Sequence, residues 1–200
     1  VWTPYATSYR ALFQKAQAKA GETVLIHGAS GGVGSAAVQW AKNAGLTVIG
    51  TASSDAGAKL VAELGADAVF DHTDEGHYSA IREFTHGKGV DIIIEMLANV
   101  NLERDFEALA MFGRIVVVGN RGSLTFTPRL AMTKDATIYG MSLFNSPQSD
   151  RDMIHAAIHT GLSNGSLDPI VSRVKLKPSP SVWRMVGATI CHQPYSRLNC

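Results

Sequence analysis

The sequence predicts an α/β protein with a Rossmann-type, doubly wound parallel sheet and flanking helices. Three observations support this fold class. A glycine-rich turn at residues 28–34 follows a strand-like run, an alanine-rich helical segment opens after the turn, and strand-like and helix-like segments then alternate along the chain. Alternation at this spacing is typical of βαβ units, in which helices cover both faces of a parallel sheet.

Hydrophobic periodicity places each element in order. The predicted strands cover residues 23–27, 46–51, 68–70, 90–95, 114–118 and 137–144, the last as an edge strand. The predicted helices cover residues 9–18, 35–44, 55–64, 75–85, 102–109 and 150–160. The chain therefore divides into a lead-in helix at 1–22, a dinucleotide-binding Rossmann domain at 23–172, and a divergent, poorly specified tail at 173–200.

Composition limits the classes of function. Hydrophobic residues make up 46% of the chain and charged residues 18%, which is typical of a globular protein with a sizeable core. The net charge is +1 with scattered lysines and arginines, so no nucleic-acid footprint stands out. No apolar run approaches the roughly 18 residues of a membrane span, and Cys191 and Cys200 are too few for a disulfide framework or a Cys-rich zinc site. A cytoplasmic protein is expected.

The glycine turn predicts a phosphate-binding site. Residues 32–37 fit the pattern G-x-G-x-x-A, and Gly28, Gly31 and Gly34 form a second, overlapping pattern. Such a turn presents backbone N–H groups at a helix N-terminus without bulky side chains, which suits a pyrophosphate. Glycine turns also join strands to helices without a ligand, but the βαβ context favours a dinucleotide.

The end of the second predicted strand indicates which dinucleotide binds. NAD enzymes place an Asp or Glu there for the ribose 2′-OH, whereas residues 50–54 of this chain contain only small and hydroxyl side chains. Room for a 2′-phosphate, with Lys59 or His72 adding charge or hydrogen bonds, predicts NADP(H). The alternative is that Asp55 only caps the next helix and Lys59 is a solvated helix residue.

Three segments, residues 5–12, 27–34 and 94–102, resemble the zeta-crystallin family of NADPH:quinone oxidoreductases in the medium-chain dehydrogenase/reductase superfamily. The resemblance covers roughly residues 1–172. It implies a metal-independent quinone reductase that uses NADPH, with an enoyl reductase of the same superfamily as the enzymatic alternative. No catalytic acid or base is identified among these residues.

The resemblance also implies positions along the cofactor. Ser30, Gly31, Gly32 and Val33, with Gly34 in the same turn, are expected at the phosphates, and Ser53 and His72 near the 2′-phosphate. Thr7 is expected to approach the nicotinamide carboxamide. From ribose to nicotinamide, the implied contacts are Asn101, Val118, Gly119, Asn120, Arg121, Met141, Ser142 and Leu143.

Members of this family carry a GroES-like substrate domain before the position of Val1. The chain is therefore expected to supply only the cofactor wall of the cleft and to turn over slowly. The stretch 137–144 resembles the edge through which the family's domains pair, which implies a homodimer or homotetramer. AU-rich RNA is a partner by resemblance only, and a non-catalytic NADPH- or RNA-binding protein or a crystallin-type structural protein remains an open alternative.

Three histidines outside the glycine turn need an interpretation. His155 and His159 have the i, i+4 spacing of a metal pair, but no H-E-x-x-H pattern or cysteine accompanies them, so a solvated helix face is expected and no metal site is predicted. His27 is interpreted as a near-core histidine with a hydrogen-bond partner.

Overall fold

The computed structural model describes residues 2–170 of the chain. Within this range, six strands form one parallel sheet in the order β3-β2-β1-β4-β5-β6. The chain winds outward in one direction from β1 and in the other from β4, so the order reverses between these two strands. The predicted α/β fold with a doubly wound parallel sheet is confirmed.

The elements follow in chain order. The strands are β1 Thr23–Ile26, β2 Thr47–Ala52, β3 Ala68–Asp71, β4 Val90–Glu95, β5 Leu109–Val117 and β6 Thr137–Gly140. The helices are α1 Trp2–Tyr9, α2 Gly32–Asn43, α3 Asp55–Glu63, α4 His77–Phe84, α5 Ala98–Ala108, α6 Pro128–Met132 and α7 Gln148–Ser163. A π-helical turn, Arg10–Lys15, continues α1, and a short 3-10 helix, Leu143–Asn145, follows β6.

All six predicted strands are present, and the differences lie at the boundaries. Strand β5 begins earlier than predicted because its first residues form an irregularity: Leu109 pairs with Val90 and Arg114 with Ile92, while Phe112 between them has a φ of 60°. Strand β6 ends at Gly140, so only half of the predicted edge segment belongs to the strand. The predicted tail, with both cysteines, lies outside the described residues.

Alternating side chains of the sheet form two cores. In β1 and β4, Val24, Ile26, Ile92 and Ile94 pack on the face covered by α1, α2 and α7. Leu25 and Ile93 belong with Val90 to the opposite face, beneath α4 and α5. Both faces of the central strands are thus buried, which explains their continuous apolar sequence.

Helix α1 and the π-helical turn that continues it are held to the domain by hydrogen bonds and an ion pair as well as by packing. The buried Arg10 guanidinium pairs with Asp150 of α7 at 2.7 Å. Trp40 of α2 donates from its indole nitrogen to the Tyr5 carbonyl oxygen, and the Tyr5 hydroxyl donates to Gln39. The lead-in segment is therefore an integral part of the helical layer over β1.

Strand β6 forms one edge of the sheet. Ile138 on this strand is 36% exposed, and Phe144 in the following 3-10 helix is 91% exposed. An apolar edge of this kind favours pairing with another chain. The homo-oligomer stays a prediction. Among residues 2–170, no helix is long and apolar enough to cross a membrane.

Replacing Gly34 tests the close packing of α2 against the glycine turn. An added Cβ at this position would lie 2.4 Å from the Gly28 carbonyl oxygen and 2.6 Å from the Ala29 Cα. Because these are backbone atoms, we expect Gly34→Ala to lower the free energy of unfolding by about 1–3 kcal/mol. The matched control is Gly32→Ala, whose Cβ would meet only the Pro4 ring at 3.7 Å. Urea unfolding curves that coincide for the two variants would contradict this packing.

Candidate functional site

The glycine turn lies at the carboxyl end of β1 and is held by the end of β2. Gly28 has a φ of 56°, and its N–H donates to the Thr51 hydroxyl at 3.0 Å. The N–H of Ala29 donates to the Thr51 carbonyl oxygen at 2.8 Å, and that of Gly31 returns to the Gly28 carbonyl oxygen at 2.9 Å. These bonds fix the path of the turn before α2 begins.

The first turn of α2 presents free backbone donors. Gly31 is the N-cap residue and supplies no side-chain acceptor. The intrahelical ladder starts only when the Ser35 N–H reaches the Gly31 carbonyl oxygen, so the N–H groups of the residues between them have no helical acceptor. Of these residues, Gly32 is exposed, Val33 is half-buried and Gly34 is buried, so the N–H of Gly32 is the most open to a ligand. A helix N-terminus with this geometry binds anionic groups such as phosphate.

The carboxyl ends of β2 and β3 bring the predicted 2′-phosphate residues to the same edge. Ser53 follows β2, His72 follows β3, and both are exposed. Ser54, and not Asp55, caps α3, because its hydroxyl oxygen accepts from the Gly57 N–H at 3.2 Å. The interpretation of Asp55 as the cap is therefore wrong, although Asp55 is the first residue of that helix.

Lys59 fits the alternative interpretation better than the cofactor one. Its side chain is 77% exposed on α3, and its ammonium lies 3.8 Å from the Glu63 carboxylate one turn further along. An acid also stands beside His72, since Asp71 ends β3. Hydrogen bonds from Thr73 lower the pKa of Asp71 and keep it ionised. The contribution of Lys59 to a 2′-phosphate site stays a prediction.

A pair of asparagines joins the first turn of α5 to the loop that follows β5. The Asn99 N–H donates to the Asn120 side-chain oxygen at 3.0 Å, and the Arg121 N–H donates to the Asn99 side-chain oxygen at 2.9 Å. Beside them, a Cβ on Gly119 would lie 2.2 Å from the Met96 carbonyl oxygen, so only glycine fits. Sequence reasoning missed Asn99, although it lies within the segment 94–102.

The remaining predicted residues lie just after the carboxyl ends of β4, β5 and β6. Asn101 is half-buried and donates from its amide to Glu95 at 3.2 Å. The apolar members, Val118, Met141 and Leu143, pack against the core face beneath α1 and α2. The polar members, Asn120, Arg121 and Ser142, are exposed.

Thr7 lies on α1, next to the glycine turn. It is buried, with 8% of its surface exposed. Pro4, one turn earlier on the same helix, contacts the place where a Gly32 side chain would stand. The structure therefore brings α1 against the turn, but it shows no contact by which Thr7 itself acts.

Below this edge lies a buried group of ionisable side chains. His27, at the end of β1, hydrogen bonds through Nε2 to Asp105 Oδ1 at 2.8 Å, and Nε2 lies 3.5 Å from Glu95 Oε2. The interpretation of His27 as a near-core histidine with a partner is confirmed. Burial raises the pKa of Glu95 and of Asp105 to about 7, and it lowers the pKa of His27. Sequence reasoning gave no role to either acid.

Neither group of histidines provides an open metal site within residues 2–170. The atoms of His27, Glu95 and Asp105 lie within 4.8 Å of one another, but a direct hydrogen bond already joins two of them. A zinc ion about 2.0–2.2 Å from each ligand would have to break that bond. His155 and His159 are exposed on α7, and the Trp2 ring lies 3.7 Å from the His155 ring.

Comparisons with known proteins agree on one group of enzymes. The zinc-binding dehydrogenase family matches residues 32–159. Human quinone oxidoreductase is 46% identical over 168 residues, which cover 84% of this chain and 51% of that protein. The chain thus spans about half the length of the curated relatives it matches.

Solved structures show the same relationship. A quinone oxidoreductase from Pseudomonas syringae is 29% identical with a TM-score of 0.73, over 82% of this chain and 52% of that one. A mycobacterial protein in complex with NADPH is 25% identical with a TM-score of 0.78, over 84% of this chain and 53% of that one.

Replacing Asn99 tests whether it orders the loop after β5. In Asn99→Ala the Arg121 N–H loses its acceptor, a hydrogen bond worth about 0.5–1.5 kcal/mol. We therefore expect amide hydrogen exchange at Arg121 to become roughly 3- to 10-fold faster. Asn145→Ala, in the exposed 3-10 helix, is the control and should leave that exchange unchanged. Equal protection of Arg121 in both variants would show that the loop is ordered by other contacts.

Proposed function

Because this chain belongs to the zinc-binding dehydrogenase family, we propose that it forms the cofactor-binding portion of an NADPH-dependent quinone oxidoreductase. The observation that carries the proposal is the turn at the N-terminus of α2. There, the N–H groups of the first turn have no side-chain cap, and Gly32 is exposed. Identity of 46% to a quinone oxidoreductase across 168 residues supports the class of substrate.

The cofactor would lie along the carboxyl edge of the sheet. The pyrophosphate would lie against Gly31 and Gly32, and the free N–H groups of residues 32–34 at the helix N-terminus would bind it. The loops joined by Asn99 and Asn120 would order the opposite half of the edge, where the nicotinamide belongs in the proposed orientation. A bound nicotinamide cofactor supplies hydride transfer, and the protein supplies binding and orientation.

NADPH rather than NADH fits the end of β2. A carboxylate at this position would accept hydrogen bonds from a ribose and repel a phosphate, but Ser53 and Ser54 stand there instead. His72, exposed at the end of the neighbouring strand, adds a donor for the phosphate. The mycobacterial relative solved with NADPH supports the same choice.

Zinc independence is part of the proposal. A catalytic zinc site needs three protein ligands and an open position for water or substrate. Residues 2–170 contain no cysteine, and their one cluster of suitable ligands is closed by a direct hydrogen bond. These donors suit a proton better than a metal ion.

Cofactor preference can be measured by competition titration. We expect the chain to bind NADPH more tightly than NADH, and His72→Ala to reduce the preference roughly 10-fold or more if it loses a charge-assisted hydrogen bond of about 1.5–3 kcal/mol. His86→Asn is the matched control, because His86 is exposed before β4 at the opposite edge of the sheet. Equal affinities for the two cofactors would refute the 2′-phosphate site.

Turnover tests the activity. We expect NADPH to be oxidised with 9,10-phenanthrenequinone faster than with a conjugated enone, and slowly in absolute terms if the family's substrate domain supplies the other wall of the cleft. Stopped-flow absorbance measures these rates.

Replacing Gly32 tests the role of the turn in binding. Gly32→Val places a branched side chain over the free N–H groups, so its NADPH affinity should fall well below that of Gly32→Ala. Calorimetry measures the two affinities. Unchanged affinity in a folded Gly32→Val variant would remove the turn from the binding site.

A further inference from the structure

In the buried cluster of His27, Tyr78, Glu95 and Asp105, the hydrogen bonds leave one oxygen of each acid without a donor. Both carboxyl groups are fully buried, and His27 is 3% exposed. Asp105 Oδ1 accepts from His27 Nε2 at 2.8 Å and from the Tyr78 hydroxyl at 3.1 Å. Glu95 Oε1 accepts from the Leu97 N–H and from the Asn101 amide. One oxygen of each acid is therefore fully used.

The second oxygens point to a shared proton. Glu95 Oε2 and Asp105 Oδ2 are buried and have no donor. Each acid places one oxygen within 3.5 Å of His27 Nε2, and the two carboxyl groups have oxygens within 4.8 Å of each other. Two adjacent buried carboxylates repel, so one of them must keep its proton at neutral pH. A proton kept between the two acids removes one negative charge and supplies a donor that these carboxyl groups lack.

The charged groups around the pair do not replace that proton. His27 is the nearest base, but its complete burial lowers its pKa. On α4, the His77 ring lies 4.1 Å from the Tyr78 ring, and its Nδ1 is hydrogen bonded to the Asp74 carbonyl oxygen. On α5, the Arg104 guanidinium lies over the Tyr78 ring at 4.8 Å. Tyr78 is itself held neutral, because burial and Asp105 raise its pKa.

The pair is connected to the candidate site through Glu95 Oε1. This single oxygen holds the N–H of Leu97, which precedes α5, and the side chain of Asn101, in the first turns of that helix. The first turn of α5 also carries Asn99, which accepts from the backbone after β5. A rotation of the Glu95 carboxyl would therefore release Asn101 and loosen the loop that the cofactor is proposed to contact.

We propose that Glu95 is a positioning residue that holds Asn101 at the cofactor edge only while Glu95 and Asp105 share one proton. Loss of the proton places two carboxylates side by side, and their repulsion turns Glu95 away from Asn101. Cofactor affinity then falls as the pH rises. This inference rests on the proposed binding of NADPH and adds a pH-dependent control to it.

The pH range follows from the shifts of the two acids. Their pKa values of about 7 lie above the ordinary values of 4.5 for Glu and 3.8 for Asp. The folded chain thus binds more protons than the unfolded chain between these limits. This extra proton binding stabilises the folded chain fully below about pH 4, and the stabilisation is lost as the pH rises to about 7. Asn101 should be released as the pH rises through about 7, where the folded pair loses its proton.

The affinity test uses amides that imitate the protonated acid. In Glu95→Gln, the amide oxygen still accepts from Asn101, while the amide nitrogen can donate to Asp105 at any pH. We expect wild-type NADPH affinity to fall by up to 10-fold per pH unit above about pH 7, and Glu95→Gln and Asp105→Asn to remove that slope. Glu83→Gln, on the exposed face of α4, is the control and should keep the wild-type slope. A wild-type slope in either folded amide variant overturns the proposal.

An infrared spectrum of the cofactor-free chain tests the shared proton separately. At about pH 6 the wild type and Glu83→Gln should show a carbonyl band from a protonated carboxylic acid, and Glu95→Gln should lack it. Absence of the band in the wild type overturns the proposal even where NADPH binds. A band in a chain that fails to bind NADPH would confirm the shared proton and refute the proposed function instead.

Discussion

The candidate site depends on one close approach of backbone to backbone. At Gly34, the first turn of α2 touches the carbonyl of Gly28 and the Cα of Ala29 so closely that no side chain fits between them. This contact sets the angle at which α2 leaves β1. Because α2 starts at the carboxyl edge of the sheet, its unpaired N–H groups face solvent at the point where the strand order reverses. The rest of the edge is built outward from that position.

Two further sets of contacts connect the turn to the other half of the sheet. The asparagines at positions 99 and 120 exchange side-chain bonds with the neighbouring backbone, so the loops after β4 and β5 are tied together. Below them, Glu95 hydrogen bonds to the start of α5, and its other oxygen lies 3.5 Å from Nε2 of His27, the residue before the glycine turn. The base of the turn and the start of α5 thus meet in one buried cluster.

Local patterns predicted much of this fold because the central strands are apolar on both faces. Strand β4 has the predicted limits, since its isoleucines fill both cores. The glycine turn was predictable because its glycines lie close together in the sequence. The start of β5 was missed because Phe112, with its positive φ, interrupts the strand pattern. Helix α6 was missed because it has only five residues.

The polar contacts of the site could not be predicted in this way. The partners Asn99 and Asn120 are 21 residues apart and meet only because β4 and β5 pair in one register. His27 and Asp105 are 78 residues apart and meet beneath the same edge. No periodicity of the sequence encodes such pairs. Burial of the acids, which determines their protonation, is likewise a property of the folded sheet.

The most direct measurement of the central claim is a titration of the isotope-labelled chain with NADPH, followed by backbone amide NMR. The account predicts the largest shift changes at residues 32–34, whose free N–H groups would meet the pyrophosphate, and at 119–121, in the loop tied to Asn99. Residues 86–89, at the opposite edge of the sheet, should not respond. Saturable changes centred on those residues, or none at the glycine turn, would contradict a cofactor site at the carboxyl edge.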